Sequence, residues 1–161
     1  MATQNSPQYG SGVPQPGAGM AGNAKILFGS HTLATNLAIN STVNMFTMPK
    51  GFTPILGWLH GSDLDTGTEA LELDVGITGD VDKYLNSGVI TGDPFAAGNI
   101  SNLAAGGIIY ALNQDLCGVV PTVLTVDTDV ILTFTAAAAS GGTGVISVTI
   151  IGVYNDARVN A

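Results

Sequence analysis

With 161 residues the chain is long enough for one domain that buries roughly two thirds of its unfolded surface. Charged residues make up only 10% of it, against about 25% in ordinary soluble domains. Its exposed positions must therefore be Thr, Ser, Asn and Gly or else lie against another chain, which favours an oligomer or a lattice component. The 12 acidic and 4 basic residues leave a formal charge of −8, and Lys25, Lys50, Lys83 and Arg158 are scattered along the chain; that excludes the clustered cations needed to bind nucleic acid or an anionic membrane.

Residues 1–23 combine Pro7, Pro14 and Pro16 with Gly10, Gly12, Gly17, Gly19 and Gly22. They hold too few large apolar groups to offset chain entropy, so a flexible N-terminal arm is predicted ahead of a single β-rich domain over 24–161. From Ala24 onward, short apolar runs rich in Val, Ile, Thr and Phe alternate with Gly, Asn, Asp and Pro, the pattern of strands and turns. Strands are predicted over 25–28, 32–37, 42–48, 52–60, 70–77, 107–112, 116–126, 129–137 and 145–154. Gly29-Ser30 and Gly61-Ser62 read as turns beside His31 and His60, and Pro49-Lys50-Gly51 as a turn between two strands. Asp127-Thr128 reads as a hairpin joint and Gly141-Gly142-Thr143-Gly144 as the link of the final hairpin. Residues 78–106 read as a long excursion with a short helical turn over 81–85, Asp80 serving as its N-cap.

Alternation is clearest in Leu71, Leu73, Val75 and Ile77, with Glu72, Asp74 and Gly76 between them, so one face of that strand is expected in a core and its acidic face in water. In the last strand Ile146, Val148 and Ile150 alternate with Ser147, Thr149, Ile151 and Val153, and both faces turn apolar towards its end. Burial on two sides is expected there, by neighbouring strands or by another subunit. Trp58 sits in the apolar run 55–59, where core packing is expected. Many short strands with frequent turn signals and no βαβ rhythm predict an all-β fold, a jelly roll or related β-sandwich or barrel of about eight strands; an immunoglobulin-like sandwich is the alternative.

No catalytic or cofactor constellation is legible, and the chain reads as a non-enzyme. Asp63, Asp65 and Glu69 flank Gly67 at the alternate spacing that Ca²⁺ ligands use, but Glu69 follows the glycine by only two residues, where a full calcium loop has five residues and then Glu. A solvated acidic loop is the plainer reading. His31 and His60 lack zinc spacing. Cys117, the only cysteine, has apolar flanks and reads as a small buried hydrophobe, although a Cys–His partnership formed in space is not visible to sequence. The glycine groups at 106–107 and 141–144 lack the residues of a phosphate loop. No cofactor is expected. The first twenty residues lack the basic start and apolar run of a secretory signal, and no apolar run reaches membrane-spanning length, so a soluble protein made in a cytoplasm is expected.

The segment LELDVGITGDVDKYLNSG, Leu71 to Gly88, resembles stretches of minor structural proteins of tailed bacteriophages, and the proline- and glycine-rich start, the β-rich body and the low charge agree with that class. The resemblance implies a virion protein of the capsid decoration or cement type, on the capsid surface, partnered by the major capsid protein and by itself as a homotrimer. It further implies interfacial contacts by the arm, for which Tyr9, Val13 and Met20 are the candidate residues, and by the last strand, for which Ile150, Ile151 and Val153 are. A receptor- or carbohydrate-binding β-sandwich module, with or without calcium, is the alternative; it would use loops such as 61–68 and 92–102.

Overall fold

The computed structural model describes residues 3–5, 24–62, 64, 71–86, 109–112, 122–138 and 140–154. Among these described residues nine strands run in the order β1 (Thr3–Asn5), β2 (Ala24–Leu33), β3 (Thr42–Met48), β4 (Phe52–Gly61), β5 (Glu72–Ile77), β6 (Asp80–Leu85), β7 (Ile109–Leu112), β8 (Thr128–Ala136) and β9 (Gly144–Tyr154). They form a five-stranded sheet, β1-β3-β8-β5-β6, and a four-stranded sheet, β2-β9-β4-β7.

Leaving β1 aside, the antiparallel pairs nest: β2 with β9, β3 with β8, β4 with β7 and β5 with β6. The β4–β9 and β5–β8 pairings then join successive turns of this folded ribbon. A long hairpin wrapped in this way, with four strands in each of two facing sheets, is the jelly roll that the strand pattern predicts. The core lies between the sheets. From the four-stranded sheet it takes Leu27, Leu33, Phe52, Leu59, Ile146, Val148 and Ile150; from the other it takes Val43, Phe46, Met48, Leu73, Val75, Leu132 and Phe134.

Several local expectations are overturned, each for a visible reason. Gly29-Ser30 is no turn, because β2 runs unbroken through it. A Cβ on Gly29 would lie 2.7 Å from the Met45 carbonyl oxygen and 2.8 Å from Phe46 Cδ1; the glycine lets β2 pass close over β3. The predicted strand 32–37 ends instead at Leu33: Asn36 Nδ2 donates to the Ala138 carbonyl at 2.8 Å, and Leu37 is buried. In place of a helical turn over 81–85, β6 returns along β5. Gly79 holds φ at 90°, closing a tight hairpin so that Asp80 opens the return strand instead of capping a helix. The Gly141–Gly144 segment joins β8 to β9, which lie in different sheets; it is a crossover and not a hairpin link. Residues 122–126 of the predicted strand 116–126 are irregular, and the rest of that strand lies outside the described residues.

β1 falls within the stretch read as an arm. It pairs in parallel with β3, Thr3 facing Thr42 and Asn5 facing Asn44.

Candidate assembly surface

In β9 the residues between Ile146, Val148 and Ile150 point away from the core, and the register of β2 and β4 aligns theirs beside them. One row across the four-stranded sheet is Ala24, Val153, Thr53; the next is Ile26, Ile151, Leu56; the next is Phe28, Thr149, Trp58; then come Ser30, Ser147 and His60, and finally Thr32 with Val145. No Asp, Glu, Lys or Arg stands in these rows. Ile26 is 66% exposed, Phe28 47%, Val145 43% and Leu56 39%. Covering one such side chain fully is worth about 1.5–3 kcal/mol relative to leaving it in water.

This outer face places the candidates of the last strand. Ile151 and Val153 lie on it, half-buried among their cross-strand neighbours. Ile150 is 0% exposed and packs between the sheets, so its apolar surface is already used within the chain. Trp58 corrects the core expectation: it is half-buried on the outer face, in the row of Phe28 and Thr149. The apolar run 55–59 carries it outward because Leu59 takes the inward position, and the irregularity between Pro54 and Leu56 resets the alternation before it.

The opposite sheet presents a different surface. Thr3, Thr42, Thr133 and Asp74 form one row across four of its strands. Thr42 Oγ1 donates to Thr3 Oγ1 at 3.1 Å, and Asn44 Nδ2 to Asn5 Oδ1 at 2.7 Å. Thr47 Oγ1 donates to Asp129 Oδ1 at 2.6 Å, and Glu72 is exposed. The acidic alternation of β5 thus faces outward as its sequence implies. Asp74 is nonetheless 7% exposed, shielded at the middle of the sheet.

His31 joins the two sheets at their open side. It shares the inward phase of Leu27 and Leu33 on β2, and its Nε2 lies 2.8 Å from Gln4 Oε1 on β1. Burial lowers its pKa, and a hydrogen bond with the Asn5 backbone partly offsets that. His60 is exposed on the outer face of the same sheet, so the fold does not bring the histidines together. Asp63, Asp65, Glu69, Cys117, Tyr9, Val13 and Met20 lie outside the described residues. Among the described residues no group of three or more His, Cys, Asp or Glu is placed to hold a metal ion.

No protein-family model matches the chain, and no curated protein matches its sequence. Its fold is similar to that of solved structures of phage capsids. A chain of the Ralstonia phage GP4 capsid is 24% identical, with a TM-score of 0.69 over 97% of this chain and 100% of that one. A chain of the cyanophage Pam1 capsid asymmetric unit is 20% identical, with a TM-score of 0.66 over 87% of this chain and 91% of that one. A chain of the acid-stable capsid structure of Helicobacter pylori bacteriophage KHP30 is 9% identical, with a TM-score of 0.56 over 85% and 92%. These are likenesses of fold, and they extend over nearly the whole of each chain.

Proposed function

We propose that this chain is a structural protein of a bacteriophage virion, of the decoration or cement type, which binds the capsid surface and associates with copies of itself, and that it catalyses no reaction. The observation that carries the reading is the uncharged outer face of the four-stranded sheet, centred on Ile26, Ile151, Leu56, Phe28 and Trp58. Support comes from the fold it shares with chains of phage capsids along nearly its full length.

A chain with a formal charge of −8 repels its own copies wherever acidic surfaces meet. Carboxylates stand on the opposite sheet and at its turns, at Glu72, Asp74, Asp80, Asp82, Asp127 and Asp129. A face without charge lets two copies meet with neither like-charge repulsion nor desolvation of an unpaired ion. Ile151 and Val153 are the residues of the last strand that serve this contact. Tyr9, Val13 and Met20 are the arm's apolar groups for a neighbouring capsid subunit, and many copies of a weak contact sum to a strong one.

Light scattering on the purified full chain tests this reading. A closed oligomer, a trimer by expectation, is the predicted result. A strict monomer at high micromolar concentration contradicts self-association through the face.

A further inference from the structure

We propose that β1 is an exchangeable strand, and that the edge of β3 on which it pairs, together with His31, forms a receptor for the Thr3–Asn5 segment of a second copy of this chain; the proposal rests on the assembly reading above.

The jelly roll is complete without β1, since β2 through β9 already form its nested pairs. No residue of β1 enters the core, and its three residues are exposed or half-buried. A strand that buries so little is a poor element of a fold, yet every one of its side chains has its own partner. Thr3 meets Thr42, Asn5 meets Asn44, and Gln4, on the alternate side, meets His31 of the other sheet. The segment is thus read on both of its faces, by β3 on one side and β2 on the other. That is how a groove recognises an extended peptide: main-chain pairing supplies affinity, and alternate side chains supply specificity.

Two features name the occupant. The acceptor matches the segment Thr-Gln-Asn, which every copy carries at the same place. Residues 6–23 lie between β1 and β2, and when extended they could bridge roughly 60 Å, so the connection does not dictate which copy the strand enters. Moving from its own edge to a neighbour's replaces each contact by the same contact. The exchange therefore costs little once a neighbour is held nearby, and it ties the two chains together. An occupied β3 edge is also closed to unspecific strand pairing.

The test uses the full chain with Cys117→Ser throughout, carrying Asn5→Cys, Asn44→Cys or both. The two single variants are mixed, unfolded and refolded together, oxidised mildly and separated without reductant, and the mass of an unoxidised portion is measured by light scattering. The Thr3→Cys and Thr42→Cys pair repeats the test one step along the register. Exchange predicts a covalent dimer of the two single variants in the mixture and chains of linked subunits from the double variant. Closure within single chains of the double variant, with none between chains in the mixture, overturns the proposal. So does the absence of any link, because β1 then does not pair with β3 at all. Either negative result from an oligomer leaves the assembly reading standing, whereas from a monomer it removes both.

Discussion

Replacing Ile26 by Asp puts the uncharged sheet face to its sharpest test. Ile26 is 66% exposed in the chain by itself, so covering the exposed part is worth about 1–2 kcal/mol of the 1.5–3 kcal/mol that full burial would give. The aspartate loses that gain and must also enter the contact without a partner. The cheapest way for it to do so at neutral pH is to take up a proton, which costs about 4 kcal/mol from an ordinary pKa near 3.9. Together these weaken each contact by about 5 kcal/mol, more than a thousandfold in association. The folded chain itself changes by only about 0.5 kcal/mol, because an exposed position offers little packing to lose. Light scattering and thermal melting of Ile26→Asp measure the two quantities separately. Thr78→Asp, in the exposed β5–β6 turn, controls for the added charge. Dissociation of Ile26→Asp with an unchanged melting point, and an intact oligomer for Thr78→Asp, are expected; equal masses for the two variants would refute the reasoning.

Three further outcomes follow from particular residues. Burial holds the His31 pKa below its ordinary 6.5, so neutral imidazole is favoured where β1 is docked. The stabilisation is fully present above pH 6.5 and is lost as the pH falls through the lowered folded value. Protection of the Gln4 and Asn5 amides, taken relative to intrinsic exchange at each pH, should fall on acidification, and an NMR titration of His31 at or above its ordinary pKa would contradict this. Gly29→Ala forces a Cβ against the Met45 carbonyl and the Phe46 ring and should cost about 1–3 kcal/mol; at roughly 2–4 °C per kcal/mol, calorimetry should find a fall of several degrees. Gly79→Ala meets nothing within 4 Å but must hold a φ of 90°, so a cost of about 1–2 kcal/mol from backbone conformation alone is expected, read as a lower urea midpoint with an unchanged slope. A loss at Gly79 matched by a change in slope would mean that the hairpin, and not the residue, has changed.

Much of the fold is written in local pattern. β3 begins and ends where its apolar run does, at Thr42 and Met48, because a turn closes it at Pro49, whose carbonyl accepts from the Phe52 amide at 3.1 Å. β5 shows its acidic face because alternation is a property of the strand alone. What is not legible arises across the sheets. Gly29 has the composition of a turn and the role of a spacer, and only the approach of β3 distinguishes the two. Asp80 suits a helix cap as well as the start of a strand until the left-handed Gly79 returns the chain along β5. The candidate surface is half-legible for the same reason. Apolar residues on both faces of β9 mark Ile151 and Val153, but Ile26, Phe28 and Trp58 join them only through the pairing of β2 and β4 with β9. The Thr-Gln-Asn segment carries no hydrophobic signal at all, since its partners are polar side chains far away in the sequence.

The most direct test of the proposed virion role is sedimentation of the purified chain with empty capsid shells of a phage whose genome carries its sequence. Saturable binding with a fixed number of copies per shell, together with a rise in the shell's disruption temperature, is the predicted result. A chain that stays in the supernatant at every concentration, and leaves the shell's stability unchanged, would contradict it.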